Sequence, residues 1–361
     1  MNCPYLCVFP SLKDANAGGI QISGKLAWRA FTKAIRQRNE CADLFCYGQI
    51  DDEDHWLSSD HAIVASSKFR AIVSALQRPW QPNLILFWHI GLLKLLPFFR
   101  NRTAGVVLFL HGIEAWKRHP FLDRLLLHRV DLFLSNSNFT WQRFLTFNPQ
   151  FSDKPHRTVH LGIGKASHGC VPQPNTIPIA LMLGRLMRSE GYKGHREMIN
   201  AWPLVLKRIP EAQLWIAGDG DLRSELEQIV ASRGLQKSVR FWGRVSEEQK
   251  EGFIRQCHCL ALPSWGEGFG FIYLEAMRLG RPCLVSTLDA GREVVNPPEA
   301  GLAADPSDLY ELANAICQLL TTGSRWNRWS KQAQCRYEGY FTTEHFQKRL
   351  IEALFEEVRK V

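Results

Sequence analysis

The sequence predicts an α/β protein made of two doubly wound parallel sheets, and three observations support this prediction. The chain has 361 residues, which suits two domains. Short apolar segments alternate with longer amphipathic ones, as in a parallel sheet covered by helices. A stretch rich in Gly, Pro and Ser over 165–178 indicates a linker. We therefore expect domains over 1–168 and 169–340, with 341–361 forming a helix that returns to the first domain.

The strands follow from the short apolar segments and the helices from the amphipathic ones. In the first domain we expect strands at 5–9, 44–47, 84–88, 106–110, 132–135 and 158–161, and the clearest helices at 21–38 and 61–76. In the second we expect strands at 179–183, 214–217, 239–242, 259–262 and 283–286, and helices at 194–207, 222–232, 247–256 and 271–279. The tail 343–360 is expected to form the closing helix. In such sheets ligands bind beyond the carboxyl ends of the strands.

Composition excludes several classes of protein. Apolar residues make up 45% and charged residues 22%, which is ordinary for a globular protein. The longest apolar stretch, 84–99, is interrupted by His89, Lys94 and Pro97 and falls short of the ~20 residues that a spanning helix needs. The first residues lack the basic and apolar segments of a secretory signal, and ten cysteines are too few for a disulfide scaffold. We expect a soluble, cytoplasmic protein with reduced cysteines.

The net charge of +9 is concentrated in the first half of the chain. Residues 1–170 contain 20 Lys and Arg against 12 Asp and Glu, whereas residues 171–361 contain 24 against 23. A basic half indicates an anionic partner, such as a phosphorylated acceptor or an acidic membrane surface at the inner face of the membrane, or else only a solubilising surface. Nothing in the chain resembles a nucleic-acid-binding module, so we expect no nucleic-acid partner.

One segment adds to the membrane hypothesis. Residues 92–102 combine Leu and Phe with Lys94, Arg100 and Arg102, a composition that suits the boundary of an anionic membrane. The alternative is a core helix with charged ends.

The most informative segment runs from Ser264 to Gly280, SWGEGFGFIYLEAMRLG. An apolar strand leads into a loop, and Gly268, Phe269 and Gly270 then precede a helix whose free N–H groups favour a phosphate. Glu267 in the loop can project into a cleft. Glu275 within the helix can accept hydrogen bonds from a vicinal diol such as ribose. Alternatively, both glutamates are ordinary turn and surface residues.

A second group of residues lies upstream, in GRLMRSEGYKGH. Arg185 and Lys193 leave the carboxyl end of a predicted strand together, where two fixed cations can hold a diphosphate without a metal ion. The alternative is two solvated charges in a loop. We interpret Asp219 and Asp221 as a turn and helix cap rather than a metal site, and Cys257, Cys259 and Cys283 as buried, reduced cysteines rather than zinc ligands.

Together, GRLMRSEGYKGH, AGDGDLRSELE and GEGFGFIYLEAMRLGRPCLVS resemble the family 4 retaining glycosyltransferases, also called glycosyl transferases group 1. Glu267 and Glu275 match the paired-glutamate motif of that family. The resemblance is specific over 179–286 and extends more weakly to AGGIQISGKLAWRAF and LHGIEAW in the first half. Two departures are visible: seven residues separate Arg185 from Lys193, as in a longer variant of the motif, and RNECADLF replaces the usual basic Gly-His pair after the first helix.

The resemblance implies a GT-B architecture, in which two Rossmann-like domains face each other across a cleft. The C-terminal domain would hold a nucleotide sugar and the N-terminal domain the acceptor. By position, Arg185 and Lys193 would bind the diphosphate, Glu275 the ribose, and Glu267 the hydroxyls of the donor sugar. Gly18 and Gly19 would approach the phosphates from the other domain. His111 would position the transferred sugar, unless it is a structural histidine that closes a strand.

These expectations define a metal-independent, retaining glycosyltransferase without a cofactor. It would move a hexose from a nucleotide-diphosphate sugar to a polysaccharide or lipid-linked saccharide. Two cations and a helix N-terminus would stabilise the leaving diphosphate. The alternatives are another enzyme with the GT-B fold, such as a nucleotide-sugar epimerase or a phosphorylase-like enzyme, and a non-catalytic subunit that binds the donor.

Overall fold

The chain folds into two compact units. The structure, a computed structural model, describes residues 3–13, 18–50, 62–77, 80–99, 103–166 and 169–357, with side chains described up to residue 355. Unit 1 comprises Met1–Gly162 and Thr343–Val361, and unit 2 comprises Ile163–Thr342. The cations Arg100 and Arg102 lie outside the described residues.

Unit 1 is built around a seven-stranded parallel sheet with the order β3-β2-β1-β4-β5-β6-β7. Its strands are β1 (Tyr5–Pro10), β2 (Ala42–Tyr47), β3 (Ala62–Ala65), β4 (Leu84–Phe87), β5 (Gly105–Leu110), β6 (Leu132–Ser135) and β7 (His156–Thr158). Its α-helices are α1 (Gly19–Arg36), α2 (Lys68–Gln77), α3 (Phe121–His128), α4 (Asn138–Phe147) and, from the C-terminal end of the chain, a helix at Thr343–Glu357. The strand order reverses between β1 and β4, which is where ligands bind in doubly wound sheets.

Two predicted elements of unit 1 differ from the structure. The predicted helix 61–76 is in fact strand β3 followed by α2, because the β-branched pair Ile63 and Val64 extends the sheet by pairing with β2. The strand predicted at 158–161 lies earlier, as β7, and pairs with β6 from His156 to Thr158. The residues after it leave the sheet, although Val159 and Leu161 remain buried.

The apolar segment that we associated with a membrane is part of the core of unit 1. Residues Ile90–Phe99 form a 3-10 helix, in which Leu92, Leu93, Leu95, Leu96 and Phe99 are buried. These side chains pack with the sheet residues of the same apolar cluster. The membrane hypothesis was therefore wrong for this segment, because its apolar side chains are already removed from water by the sheet.

Unit 1 contains one disulfide among its described residues, between Cys3 and Cys41, whose Cα atoms are 5.0 Å apart. It joins the segments that lead into β1 and β2. Our expectation that all cysteines are reduced was therefore wrong for this pair, since the parallel pairing of β1 with β2 brings the two residues together. The C-terminal helix Thr343–Glu357 packs on α1, and the Phe31 and Phe355 rings are stacked 5.8 Å apart.

Unit 2 has the same architecture as unit 1, with a six-stranded parallel sheet of order β10-β9-β8-β11-β12-β13. Its strands are β8 (Ile179–Leu183), β9 (Gln213–Ala217), β10 (Val239–Gly243), β11 (Cys259–Leu262), β12 (Cys283–Ser286) and β13 (Gly301–Ala304). Its α-helices are α5 (His195–Leu206), α6 (Arg223–Ser232), α7 (Glu247–Gln256), α8 (Phe271–Arg278), α9 (Gly291–Val295), α10 (Leu309–Leu320) and α11 (Ser324–Tyr340), and the C-terminal helix of unit 1 is accordingly α12.

The strand order of unit 2 reverses between β8 and β11, where the predicted donor motifs lie. Arg185 follows β8 and Glu267 follows β11, so the two motifs lie beyond the carboxyl ends of neighbouring strands. β13 was not predicted, because its sequence GLAA is short and carries no β-branched residue. Among the described residues, no helix has the length and apolar composition needed to cross a bilayer.

Candidate functional site

The two predicted diphosphate-binding cations lie close together in unit 2, and a carboxylate joins them. Glu190 sits within the 3-10 helix Arg188–Lys193, between the end of β8 and the start of α5. One of its oxygens lies 2.7 Å from Lys193 Nζ, and the other pairs with the Arg185 guanidinium. The Arg185 side chain is 69% exposed, whereas those of Lys193 and Glu190 are 14% exposed. The structure therefore brings both cations to one place, with Glu190 between them.

A glycine allows α5 to begin next to the loop that follows β11. Gly194 has a φ of 78°, and a Cβ atom there would collide with the carbonyl oxygen of Pro263. Only glycine tolerates both this backbone conformation and this close approach. The resulting packing carries Lys193 towards the loop of Glu267, and the charge of Lys193 lowers the pKa of that carboxyl group.

Glu267 lies in a loop that is tied to a second acidic residue. Its backbone N–H donates to Asp289 Oδ2 at 3.3 Å, and its carbonyl oxygen accepts the Ala290 N–H at 3.0 Å. Burial raises the pKa of Glu267, while Lys193 and the backbone N–H groups of Phe269 and Gly268 act in the opposite direction. Burial and the nearby Glu267 charge also hold the pKa of Asp289 well above its usual range. Two carboxyl groups from two neighbouring loops thus lie close together in a poorly solvated region.

Gly270 sets the start of α8 and thereby the position of Glu275. Gly270 is the N-cap of α8 with a φ of 85°, and a Cβ atom there would meet the Tyr273 ring at 2.5 Å. The backbone N–H groups of Gly268 and Phe269 point to the Glu267 carboxylate in this structure. Their predicted role towards a phosphate stays a prediction.

Glu275 is held by a lysine that we did not identify from the sequence. Lys250 on α7 places its Nζ 2.9 Å from Glu275 Oε2 and 2.6 Å from Glu247 Oε2. The Glu275 side chain is 20% exposed, so it is an enclosed, paired carboxylate rather than a freely solvated surface group. Burial raises its pKa and Lys250 lowers it. An oriented carboxylate of this kind can accept hydrogen bonds from the two hydroxyls of a diol.

In unit 1, His111 lies at the carboxyl end of β5 and is fixed by a backbone bond. Its Nε2–H donates to the carbonyl oxygen of Trp88 at 2.6 Å, and its ring packs against those of Trp88 and Phe109, which also contact each other. Burial lowers the pKa of His111 to about 4. The ring is therefore neutral at physiological pH and presents Nδ1 as an acceptor, which suits positioning better than proton abstraction.

The predicted glycine pair lies at the start of α1, in the same unit. Gly18 is the N-cap of α1 and Gly19 its first residue, and the Gly18 N–H donates to Gln21 Oε1 at 3.0 Å. Neither residue has a positive φ, so the backbone conformation itself does not require glycine here. Trp88 connects this helix start to His111, because its indole N–H donates to Ser23 Oγ at 3.2 Å.

A cavity of about 140 Å³ lies in unit 1, between the 3-10 helix Ile90–Phe99, the loop after β5 and helix α3. It is lined by imidazole, carboxylate and ammonium groups, including His89, Lys94, Glu114, Lys117, His119 and Asp123. Glu114 also caps the loop after β5 by accepting the N–H groups of His111 at 2.6 Å and Gly112 at 3.0 Å. Mixed acceptors and donors of this kind suit the hydroxyl groups of a saccharide.

The two aspartates and three cysteines that we did not assign to a metal site have local structural roles. Asp219 Oδ1 accepts the Gly220 N–H at 2.9 Å, as expected for a turn. Asp221 Oδ1 accepts the Arg188 N–H at 2.7 Å. Asp221 therefore stabilises the start of the 3-10 helix Arg188–Lys193 and does not cap α6. Cys257, Cys259 and Cys283 are buried free thiols whose pKa values are raised by burial.

Three residues of the candidate site were missed: Glu190, Lys250 and Asp289. Glu190 lies between Arg185 and Lys193 within the segment GRLMRSEGYKGH. An acidic residue between two cations in sequence is a signal for a bridging carboxylate. Lys250 and Asp289 carry no such signal, because each reaches the site from a different part of the fold.

Comparisons with known proteins show which family part of unit 2 resembles. Residues 177–322 match the family model of glycosyl transferases group 1. The phosphatidyl-myo-inositol mannosyltransferase of Mycobacterium leprae is 34% identical over 167 residues, which are 44% of this chain and 42% of that protein. The matching part thus spans less than half of this curated relative.

Solved structures resemble the whole chain in fold. A glycosyltransferase from Rickettsia africae has a TM-score of 0.74 and 15% identity, covering 99% of both chains. The HepE protein of Anabaena in complex with UDP has a TM-score of 0.73 and 19% identity, covering 99% of this chain and 100% of that one. Residues 177–322 therefore match the model of glycosyl transferases group 1, within a chain that has the GT-B fold.

Proposed function

We propose that this chain is a retaining, metal-independent glycosyltransferase. It transfers a hexose from a nucleotide-diphosphate sugar to a polysaccharide or lipid-linked saccharide acceptor. The observation that carries the proposal is the cluster of Arg185, Lys193 and Glu267 at the point where the strand order of unit 2 reverses. The acceptor class is suggested by the relative from Mycobacterium leprae, whose name describes a mannosyltransferase of phosphatidyl-myo-inositol.

The donor binds to unit 2 through its charged and its hydroxyl groups. Arg185 and Lys193 hold the diphosphate in place of Glu190, and the N-terminus of α8 adds a further favourable dipole. Glu275, oriented by Lys250, accepts hydrogen bonds from the ribose hydroxyls. Glu267 accepts hydrogen bonds from the donor sugar.

The proposed mechanism follows from the charges that develop as the bond between the donor sugar and the diphosphate breaks. The bond between the anomeric carbon and the diphosphate oxygen breaks, and a bond forms between that carbon and the acceptor oxygen on the same face. The hydroxyl proton of the acceptor passes to the leaving phosphate. Arg185 and Lys193 stabilise the charge that builds on the diphosphate, which is the role that a metal ion plays elsewhere.

Unit 1 provides the residues that bind the acceptor saccharide. The neutral His111 offers Nδ1 to a hydroxyl of the transferred sugar, and Gly18 and Gly19 allow the start of α1 to approach the phosphates. The cavity lined by His89, Glu114 and His119 receives the acceptor saccharide. Its lining contains both hydrogen-bond donors and acceptors, as sugar hydroxyls require.

The test is release of nucleoside diphosphate from a panel of UDP- and GDP-sugars, in the presence of saccharide and lipid-linked acceptors and of a metal chelator. We expect turnover of one donor with the anomeric configuration preserved in the product. Lys193→Ala should weaken binding of the nucleoside diphosphate by about 10- to 100-fold. Lys348→Ala, at a surface ion pair in unit 1, serves as the matched control.

Other results would contradict the proposal in distinct ways. Binding of a nucleotide sugar without turnover would indicate a non-catalytic donor-binding subunit. Conversion of the donor into an epimer, or release of a sugar phosphate, would indicate another enzyme of the same fold. Inversion at the anomeric carbon, or loss of activity with the chelator, would refute the retaining or the metal-independent part of the mechanism.

A further inference from the structure

Helix α3 of unit 1 exposes an apolar face. Phe121 is 65% exposed, Leu122 71% and Leu125 49%, although each is a large apolar side chain. These positions are spaced so that they lie on one side of the helix, while Leu127 on the opposite side is buried. Contiguous exposed apolar residues indicate an interaction surface, whereas scattered ones need no explanation.

Cations flank this apolar face along the chain. Lys117 and Arg118 precede α3, Arg124 lies within it and Arg129 follows it. The segment 117–129 contains one acidic residue, Asp123, whose carboxylate is paired with Lys94 at 3.5 Å. The exposed apolar side chains of α3 therefore have cationic residues on both sides along the chain.

The start of α2 repeats this combination. Phe69 is 76% exposed and lies between Lys68 and Arg70, both of which are exposed as well. Helices α2 and α3 both pack against the buried 3-10 helix Ile90–Phe99. The 3-10 helix itself contributes to the core, and it supports two helices that carry the exposed aromatic and cationic residues.

We propose that the exposed face of α3 docks unit 1 on an anionic lipid bilayer. Leu and Phe side chains enter the boundary between head groups and acyl chains, and the surrounding Lys and Arg side chains contact lipid phosphates. The helix is about 12 Å long, which suits shallow binding in the plane of the surface rather than insertion across it. This proposal does not depend on the proposed enzymatic activity.

Charge favours a bilayer over a second copy of the chain. A symmetric dimer through α3 would bring the cations of one copy next to those of the other, since the same surface is used twice. Like charges brought together in this way oppose association. An anionic bilayer instead offers negative charge around an apolar interior, which matches both features of the face.

The experiment is co-sedimentation of the full chain with vesicles of pure phosphatidylcholine and with vesicles that contain about 30% phosphatidylglycerol. We expect binding to the anionic vesicles, weakened by salt, and little binding to the neutral ones. Phe121→Ser combined with Leu122→Ser should reduce the partition constant about tenfold or more. Arg118→Gln should reduce it about fivefold.

The matched control is Tyr310→Ser, which removes an equally exposed aromatic side chain, 76% exposed, from α10 in unit 2. It should leave vesicle binding unchanged. All variants should keep the wild-type unfolding midpoint, because the replaced side chains are exposed.

Three results would overturn the proposal. Vesicle binding that is indifferent to lipid charge would remove the role of the cations. Binding that survives the double substitution would place the contact elsewhere. A concentration-dependent dimer that dissociates on the double substitution, with no vesicle binding, would identify the face as a contact between copies. Release of nucleoside diphosphate with a water-soluble acceptor, measured in parallel, reports separately on the proposed activity.

Discussion

The ammonium group of Lys193 lies 2.7 Å from Glu190, whose other carboxylate oxygen is paired with Arg185. A side-chain carboxylate thus stands between the two cations that we assign to the donor diphosphate. Because an anion of the protein and an anion of the ligand compete for the same two cations, the donor must displace Glu190 from at least part of this arrangement.

Removing the charge of Glu190 should therefore strengthen nucleotide binding. We expect Glu190→Gln to raise the affinity for UDP or GDP by about three- to tenfold, measured by titration calorimetry. Glu225→Gln is the matched control, since Glu225 also pairs with two arginines, Arg188 and Arg196. Weaker binding by Glu190→Gln would show instead that Glu190 mainly holds the cations in position.

Lys250 should act on the nucleoside rather than on the phosphates. It lies 2.9 Å from Glu275, so Lys250→Met leaves that carboxylate enclosed and unpaired, and reduces its ability to orient towards ribose. We expect nucleoside diphosphate affinity to fall about tenfold, with affinity for inorganic diphosphate unchanged. An equal loss for both ligands would place Lys250 at the phosphates and contradict this assignment.

The ionised Glu267 carboxylate should lower the free energy of unfolding at neutral pH. Burial raises its pKa in the folded protein, so the folded state favours the protonated form more than the unfolded state does. The free energy of unfolding then decreases as pH rises from the unfolded pKa through the folded one. Glu267→Gln should raise the unfolding midpoint by a few degrees at pH 8, and this gain should vanish as the pH approaches 4.

Activity provides the second measurement for the same variant. Glu267→Gln should lower turnover strongly while it raises stability, because we assign the carboxylate to the donor sugar and its burial opposes folding at neutral pH. The exposed Glu248→Gln on α7 should change neither property. A variant that is both inactive and less stable would instead assign Glu267 a structural role.

His111 should influence the rate without shaping its pH dependence. Burial lowers its pKa to about 4, and its Nε2–H is engaged by Trp88, so it stays neutral throughout the physiological range. His111→Ala should reduce kcat about tenfold, with the pH profile above pH 6 unchanged in shape. His111→Gln, which keeps a donor for Trp88, should restore part of the loss. A profile that loses its acidic limb in His111→Ala would identify His111 as a general base.

His195 should contribute to destabilisation in acid. It is buried, neither ring nitrogen has a hydrogen-bond partner among the residues described, and burial lowers its pKa to about 4. Its contribution to stability is fully present above the unfolded pKa of about 6.5 and is lost as pH falls towards 4. His195→Leu should flatten the decrease in unfolding free energy over this interval, and should be neutral or stabilising at pH 7. Denaturant titrations across pH measure both effects, and an unchanged slope would contradict the prediction.

The sequence predicted the parts of the site that are local along the chain. Gly270 starts a helix after a strand, and Arg185 and Lys193 follow a strand, so their placement at the carboxyl edge of a sheet follows from the order of elements. The strands of unit 2 were located closely for the same reason, since five short apolar segments lie between amphipathic ones. The unpredicted strands β3 and β13 lie at sheet edges, where few residues are needed and the apolar pattern is short.

The sequence by itself determined the fold class, the division into two units and the residue types at the candidate site. The tertiary structure decided which charges meet, because the Lys250–Glu275 pair joins two helices, and the Glu267–Asp289 contact joins two loops. It also decided which apolar side chains face solvent. The apolar face of Ile90–Phe99 and that of α3 are alike in composition, yet the first packs on the sheet and the second remains exposed. Composition gives a side chain its tendency to leave water, and only the neighbours that folding brings determine whether that tendency is satisfied within the chain.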